Sequence, residues 1–276
     1  MIFEPVLATL EYHNMDPEIV RWGPIVLRWY SLSYVAALMF GWWWLARFTK
    51  KMATPYTRLQ VDDFALWALI GVFLGGRLGY VFFYKPAEYL ADPIEILKIW
   101  EGGMSFHGGL LGVILAIYLF TKRNKIDIFS FSDFVACVVP AGLFFGRIAN
   151  FINGELWGAP SNLPWAMPFP GGGPLPRHPS QLYEAALEGL LLFLVLNFLM
   201  ARTNARKLPG MLVGIFFAWY GVSRYLIEFV RVPDAHLGKL WDAISMGQLL
   251  SLPMIAFGLW LIASSLKRGK AAAPNK

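Results

Sequence analysis

A chain of 276 residues that is 57% hydrophobic and only 15% charged, with a mean hydropathy of +0.50, stands apart from soluble domains, which carry about 25% charged residues. It is long enough for several membrane spans of roughly 20 residues each, and its 16% aromatic content, with 12 Trp, suits interfacial belts. The net charge of +6 sits in short basic clusters between apolar runs, which argues against a continuous nucleic-acid-binding stripe.

In chain order, the first 27 residues carry Glu4, Glu11, Asp16 and Glu18 without a basic segment ahead of an apolar core. An ordered extramembrane segment is expected there rather than a cleavable signal peptide. Seven apolar runs then predict seven transmembrane helices, at about 25–47, 63–84, 104–121, 131–152, 181–201, 210–230 and 245–266. The third is short and opens on Gly102, Gly103, Gly108 and Gly109. Cys137, the single cysteine, lies in the fourth run and reads as a buried structural thiol; alone it excludes an internal disulfide or a multi-cysteine metal site. Residues 153–180 are dense in Pro and Gly, from Pro160 to Pro179, and so hold neither a long helix nor a central strand. A loop of that length in a compact protein is usually functional or disordered. With no internal repeat and no second domain visible, the expected organisation is one integral membrane domain, 1–276, with the 153–180 loop as an insertion.

Orientation follows from the cations. Arg47, Lys50, Lys51 and Arg58 form one cluster, Lys122, Arg123 and Lys125 the next, Arg202, Arg206 and Lys207 a third, and Lys267, Arg268, Lys270 and Lys276 the last. Seven spans place all four on one side, which the positive-inside rule assigns to the cytoplasm. The fold class is then an all-α polytopic membrane protein with a periplasmic N-terminus, a cytoplasmic C-terminus and the Pro/Gly-rich loop on the periplasmic side.

Ionisable groups at membrane depth are expensive and mark functional sites. Under this topology they converge at the outer ends of separate spans: Tyr30, Arg77, His107, the run of Arg147, Asn150, Asn153 and Glu155, then Tyr183, Glu184 and Glu188, and finally Arg224, Glu228 and Arg231. At about 100° per residue Arg147 and Asn150 share a helix face, as do Glu184 and Glu188. Arg224, Glu228 and Arg231 form one stripe at i, i+4 and i+7. Arg77, Arg224, Glu184, Glu188 and Glu228 read first as structural ion pairs. Arg147 and Arg231, at span ends beside polar loops, read as ligands for an anionic headgroup, since a guanidinium binds phosphate bidentately. His107, flanked by Gly108 and Gly109, is open between structural and proton-transfer roles. His13, His178 and His236 have no such setting and read as structural. No GxxxxGK[ST] loop, HExxH site or GxSxG turn occurs, and His107 with Glu155 does not make a metal set.

The motifs GGRLGY at 75–80, HGGLLG at 107–112, GRIANFINGELWG at 146–158, HPSQLYEA at 178–185 and RYLIEFVRVPDAHLG at 224–238, behind Arg28, Trp29 and Tyr30, occur in one order along nearly the whole chain. Together they closely resemble the bacterial prolipoprotein diacylglyceryl transferases. Ala149 stands where that family more often has Gly, a small-for-small change. The resemblance implies transfer of a diacylglyceryl group from phosphatidylglycerol to a prolipoprotein cysteine, in the bacterial cytoplasmic (inner) membrane with the site toward the periplasm. It implies His107 and Arg231 as catalytic residues, and Arg147, Asn150, Glu155, Tyr30 and Gly158 as substrate-binding ones. The expected partners are phosphatidylglycerol, the signal peptide and cysteine of prolipoproteins, and membrane lipids, with no metal, cofactor or nucleic acid. From the residues alone an anion transporter, an enzyme of another lipid headgroup, or a structural membrane partner remain competing readings.

Overall fold

The computed structural model describes residues 12, 15–23, 25–51, 54–232, 239–240 and 244–272. A hairpin of β1 (Glu18–Trp22) and β2 (Ile25–Arg28) leads into α1 (Trp29–Lys51), α2 (Arg58–Phe83), the short α3 (Pro86–Ala91), α4 (Phe106–Asn124), α5 (Ile128–Ala136) and α6 (Val139–Ile152). An irregular stretch precedes α7 (Ser180–Glu184), a π-helical turn over Ala185–Leu191, α8 (Leu192–Arg202) and α9 (Met211–Ile227). Two short strands, β3 (Lys239–Leu240) and β4 (Ile244–Ser245), lead into α10 (Met246–Ala272).

The chain is mostly helical, and among the described residues four segments are long and apolar enough to cross a membrane: Arg58–Phe83, Ile128–Ile152, Ser180–Arg202 and Met246–Gly269. This is the composition of a polytopic membrane protein. The other three expected spans are also helices but fall short of that length or apolarity. α9 has 17 residues, α4 contains His107 and ends on Lys122 and Arg123, and the aromatics of α1, Trp29, Tyr30, Tyr34 and Trp42–Trp44, dilute its aliphatic content. The first helix also begins later than the apolar run does. Ile25 and Val26 are β-branched and pair with Trp22 and Arg21 across the hairpin instead.

Two compact units divide the chain, one of Trp42–Phe134 and the other of Met1–Gly41 with Val135–Lys276. In the first, α2 and α4 pack through glycine. Gly71, Gly75 and Gly79 recur at every fourth position of α2 and meet Gly108 and Gly112 of α4; a methyl group on Gly75 would lie 2.9 Å from the Gly112 Cα, and one on Gly71 2.7 Å from the Gly112 carbonyl oxygen. Small residues at this spacing let helix backbones touch where lipid supplies no hydrophobic drive. The opposite ends are closed by an aromatic cluster of Tyr56, Phe64, Phe120, Phe131 and Phe134, with Phe64 and Phe131 centroids 4.9 Å apart.

Arg77, expected in an ion pair, is instead buried among main-chain carbonyls. Its guanidinium donates to the oxygens of Glu95 (2.5 Å), Ile96 (2.9 Å) and Gly102 (2.5 Å), with Lys98 and Gly103 at 3.2 Å. The stretch from Pro93 to Gly103 forms only short 3₁₀ turns, and one five-donor fork binds five of its carbonyls.

In the other unit, α9 and α10 also meet through glycines, Gly214, Gly221 and Gly258. α5 breaks from α6 before Pro140, which has no N–H to continue the ladder; the Asn197 side chain donates to the Cys137 carbonyl at 2.8 Å. Cys137 is buried, with its sulfur facing the Leu196 carbonyl.

Gly112→Ala is expected to destabilise the protein by about 1–3 kcal/mol through overpacking against α2. Gly146→Ala, where a methyl meets nothing within 4 Å, is expected to be neutral or to gain up to about 1 kcal/mol of helix propensity. Thermal unfolding of the two variants in detergent checks the contrast; equal losses would remove the glycine-packing account.

Candidate active site

The π-helical turn after α7 carries Gly189, whose missing side chain lets the turn lie against Phe144 of α6; a methyl there would meet the Phe144 Cβ at 2.7 Å. Such turns interrupt a regular helix at functional places. Here the turn faces Glu184 and Glu188, both 0% exposed, toward α6 and α9. Glu184 is the centre of an ion-pair network. The Arg147 Nε lies 3.0 Å from one of its oxygens, while Arg224 and the Arg231 Nη1 (2.8 Å) share the other. Arg224 also pairs with Glu228 at 2.6 Å, and the Ser245 hydroxyl donates to the second Glu228 oxygen at 2.6 Å. Glu188 is held more weakly, 3.7 Å from Arg147, and neither of its oxygens has a hydrogen-bond partner among the described residues. Three guanidiniums thus face three carboxylates, which balances the formal charge of the cluster.

One turn along α6 from Arg147, the signature segment folds back on its own helix. Gly154 (φ +65°) and Leu156 (φ +61°) take left-handed conformations, which reverse the chain after the α6 C-terminus. The Glu155 carboxylate then accepts from the Asn150 amide (2.9 Å) and the Asn153 amide (3.1 Å). From α7, Gln181 donates to the Glu155 carbonyl at 2.6 Å and Ser180 to the Leu156 carbonyl at 2.9 Å. The result is a cleft of about 360 Å³ lined by Arg28, Tyr30, Ser31, Asn150, Asn153, Glu155 and Leu156. Its wall is hydroxyls, amides, one carboxylate and one guanidinium, a set that suits an anionic ligand bearing hydroxyl groups.

Of the residues expected in a site, Tyr30, Asn150 and Glu155 share this cleft, and Arg147 and Arg231 meet at Glu184. Gly158 lies beneath them as a main-chain junction. Its N–H donates to the His178 carbonyl (2.8 Å), the next N–H, of Ala159, donates to Val230 (2.8 Å), and a Cβ at Gly158 would meet the Val230 oxygen at 2.5 Å. No side chain fits there, so Gly158 ties the loop to the segment that carries Arg231. His107 belongs to the other unit, exposed in the first turn of α4, where Ser105 caps the Gly108 N–H.

His178, read as structural, sits at an apolar cleft of about 310 Å³ with Trp165, Tyr183 and Leu226, its Nδ1 3.2 Å from the Tyr183 hydroxyl. His13 and His236 lie outside the described residues. Sequence reasoning did not single out Arg28 or Ser31 as site residues. The signal was present, since both flank Trp29 and Tyr30 at the point where strand turns into helix.

A model of the family described as prolipoprotein diacylglyceryl transferase matches residues 17–264. The chain is similar to the phosphatidylglycerol–prolipoprotein diacylglyceryl transferase of Paramagnetospirillum magneticum, 55% identical over 266 residues, 96% of this chain and 98% of that protein. Proteins of the same name from Rhizobium meliloti and Rhodospirillum rubrum are 51% and 50% identical, covering 96% and 98% of this chain and 98% and 99% of their own lengths.

Removing the shared carboxylate leaves buried guanidiniums uncompensated, so Glu184→Gln is expected to lose about 3–5 kcal/mol of stability, measured by denaturation in mixed micelles; an unchanged midpoint would refute the central role of Glu184. Burial holds the His178 imidazole below its ordinary pKa. Folding therefore disfavours its charged form: the associated stability is complete above about pH 6.5 and is lost as pH falls toward the folded-state value. His178→Gln should flatten the acid side of the stability profile, and an unaltered profile would contradict this.

Proposed function

Because the chain belongs to the prolipoprotein diacylglyceryl transferase family, we propose that it moves the diacylglyceryl group of phosphatidylglycerol to the cysteine thiol of a prolipoprotein. The thiol loses its proton, and the sulfur attacks the glyceryl carbon bearing the phosphate ester. A thioether forms, the carbon–oxygen bond breaks, and glycerol phosphate leaves with the electron pair. The observation that carries the reading is the polar cleft, in which Tyr30, Asn150 and Glu155 meet from distant parts of the sequence, one helical turn from Arg147.

Each residue has a part in this scheme. Asn150, Glu155 and Tyr30 hold the glycerol and phosphate of the headgroup, and Gly158 keeps the loop against the Arg231 segment. Negative charge grows on the phosphate as it departs, and Arg147 and Arg231 stabilise it there more than in the bound lipid. Their carboxylate partners leave the cluster balanced at rest, so the gain is reserved for the step in which charge develops. His107, exposed and flanked by glycines, is the proposed base for the thiol, because the thiolate is the reactive form. No metal or nucleotide enters, since the phosphate ester is itself the leaving group.

Within the proposed single integral membrane domain, residues 1–276, the seven long helical stretches are seven spans. The N-terminus is periplasmic, the C-terminus cytoplasmic, and the 153–180 loop closes the site on the periplasmic side of the bacterial cytoplasmic membrane. The cationic loops favour this orientation. Both substrates then enter laterally, one as a bilayer lipid and the other as the end of a signal peptide.

Purified protein mixed with phosphatidylglycerol and a cysteine-containing signal peptide should yield thioether-linked peptide and free glycerol phosphate. Arg147→Ala is expected to lower kcat by about 10²–10³-fold, and a Cys→Ser peptide to give no product. Full transfer by Arg147→Ala would sink its assignment; no transfer by folded wild-type protein would sink the reaction itself.

A further inference from the structure

The cations named above are not equally free to bind a ligand. Arg147, Arg224 and Arg231 are matched by Glu184, Glu188 and Glu228, and none of them lines the polar cleft. The cation among the residues that do line it is Arg28, at the end of β2 and two residues before Tyr30. Its side chain is 58% exposed, and its carboxylate neighbour is distant: the Glu18 oxygen lies 3.5 Å away. That same oxygen is 2.6 Å from Arg21, which binds Glu18 with two nitrogens. Glu18 is thus committed to Arg21, and Arg28 keeps most of its donors. The hairpin register, with Glu18 opposite Arg28, fixes the backbone from which Arg28 enters the cleft.

The remaining wall explains why a cation is needed there. The Asn150 and Asn153 amide nitrogens each donate to Glu155, so one donor of each is engaged by a carboxylate. The negative charge on this part of the wall is the Glu155 carboxylate, which suits hydroxyl groups and repels a phosphodiester. Anion binding must come from the other side of the cleft, where Arg28 stands with the hydroxyls of Tyr30 and Ser31.

We propose that Arg28 is the residue that binds the phosphoryl group of the lipid donor before reaction, a specificity determinant for an anionic phosphodiester. This rests on the transferase reading above and divides the labour within it. Arg28 acts on the bound donor and is felt in KM, whereas Arg147 and Arg231 act as charge develops and are felt in kcat. The fork geometry matters as well as the charge, because a guanidinium takes two phosphate oxygens at once and an ammonium does not.

The test is steady-state transfer in mixed micelles with wild type, Arg28→Gln, Arg28→Lys and the double variant Glu18→Gln with Arg21→Gln, each with phosphatidylglycerol varied and with soluble glycerol phosphate as inhibitor. Arg28→Gln is expected to raise the KM for phosphatidylglycerol about tenfold, with a much smaller change in kcat. It should weaken inhibition by glycerol phosphate in parallel, and Arg28→Lys should recover part of both. The double variant removes the Glu18–Arg21 pair beside Arg28, leaves Arg28 itself in the cleft with no carboxylate released onto it, and should leave KM within about twofold. An equal KM rise in the double variant would overturn the proposal, because hairpin integrity would then be responsible. So would a KM rise in Arg28→Gln with unaltered glycerol phosphate inhibition, which would mean attraction to the lipid surface. Wild-type protein that forms no thioether product fails the transferase reading instead; there, unchanged glycerol phosphate affinity of Arg28→Gln by calorimetry would separately refute the binding role.

Discussion

A single buried carboxylate, Glu184, sets the arrangement on which the polar interior depends. An ionised group fully removed from solvent is tolerated only with partners in good geometry. Glu184 draws those partners from α6, from α9 and from the segment after α9. Apolar helix contacts in a lipid environment are forgiving of small rotations; a carboxylate shared by three guanidiniums is not. The π-helical turn and Gly189 are what let it reach them. The helix that carries Glu184, α7, also supplies Ser180 and Gln181, which hold the main chain of Glu155 and Leu156, and through it the cleft.

Two kinds of positive charge result. Around Glu184 the guanidiniums are neutralised and fixed, with little freedom to reorganise when a negative charge appears nearby. Arg28 is exposed and loosely held, on a two-stranded hairpin rather than in the helix bundle. Catalysis by charge stabilisation favours groups already in place, while capture of a headgroup from a bilayer favours one that can follow it. The chain supplies each from a different structural setting.

Much of this was legible from sequence. Long apolar runs located the four helices that, among the described residues, are long and apolar enough to cross a membrane, because crossing demands length and hydrophobicity that few other segments share. The i, i+4, i+7 spacing found the Arg224, Glu228 and Arg231 stripe, and the signature run found Asn150 and Glu155. What failed was partnership, which spacing within one helix does not encode. Arg77 was matched to a carboxylate but meets carbonyls of a distant loop. Glu184 was one structural ion among several but is the hub. The three-way main-chain junction that Gly158 makes by lacking a Cβ was likewise not visible in spacing. The division of α5 from α6 and the strand at Ile25–Arg28 were also hidden inside apolar runs that look continuous.

The Pro/Gly-rich loop is held along most of its length and open at a short tip. Pro160 and Met167 both pair with Arg177, whose side chain also reaches the Gly172 carbonyl at 2.6 Å and stacks 4.3 Å from the Trp157 ring. By contrast Gly171 and Gly173, at φ +74° and +82°, border open space. Change in chain length is therefore tolerable in one place and not in another. An added residue between Gly154 and Gly158 would slip the main-chain pairing and turn Glu155 away from its asparagines. Extra residues just after Gly173, where Pro174 and Leu175 are exposed, would leave the Gly172 and Arg177 contacts in register, which makes that point the natural place for an insertion, a label or a fused reporter.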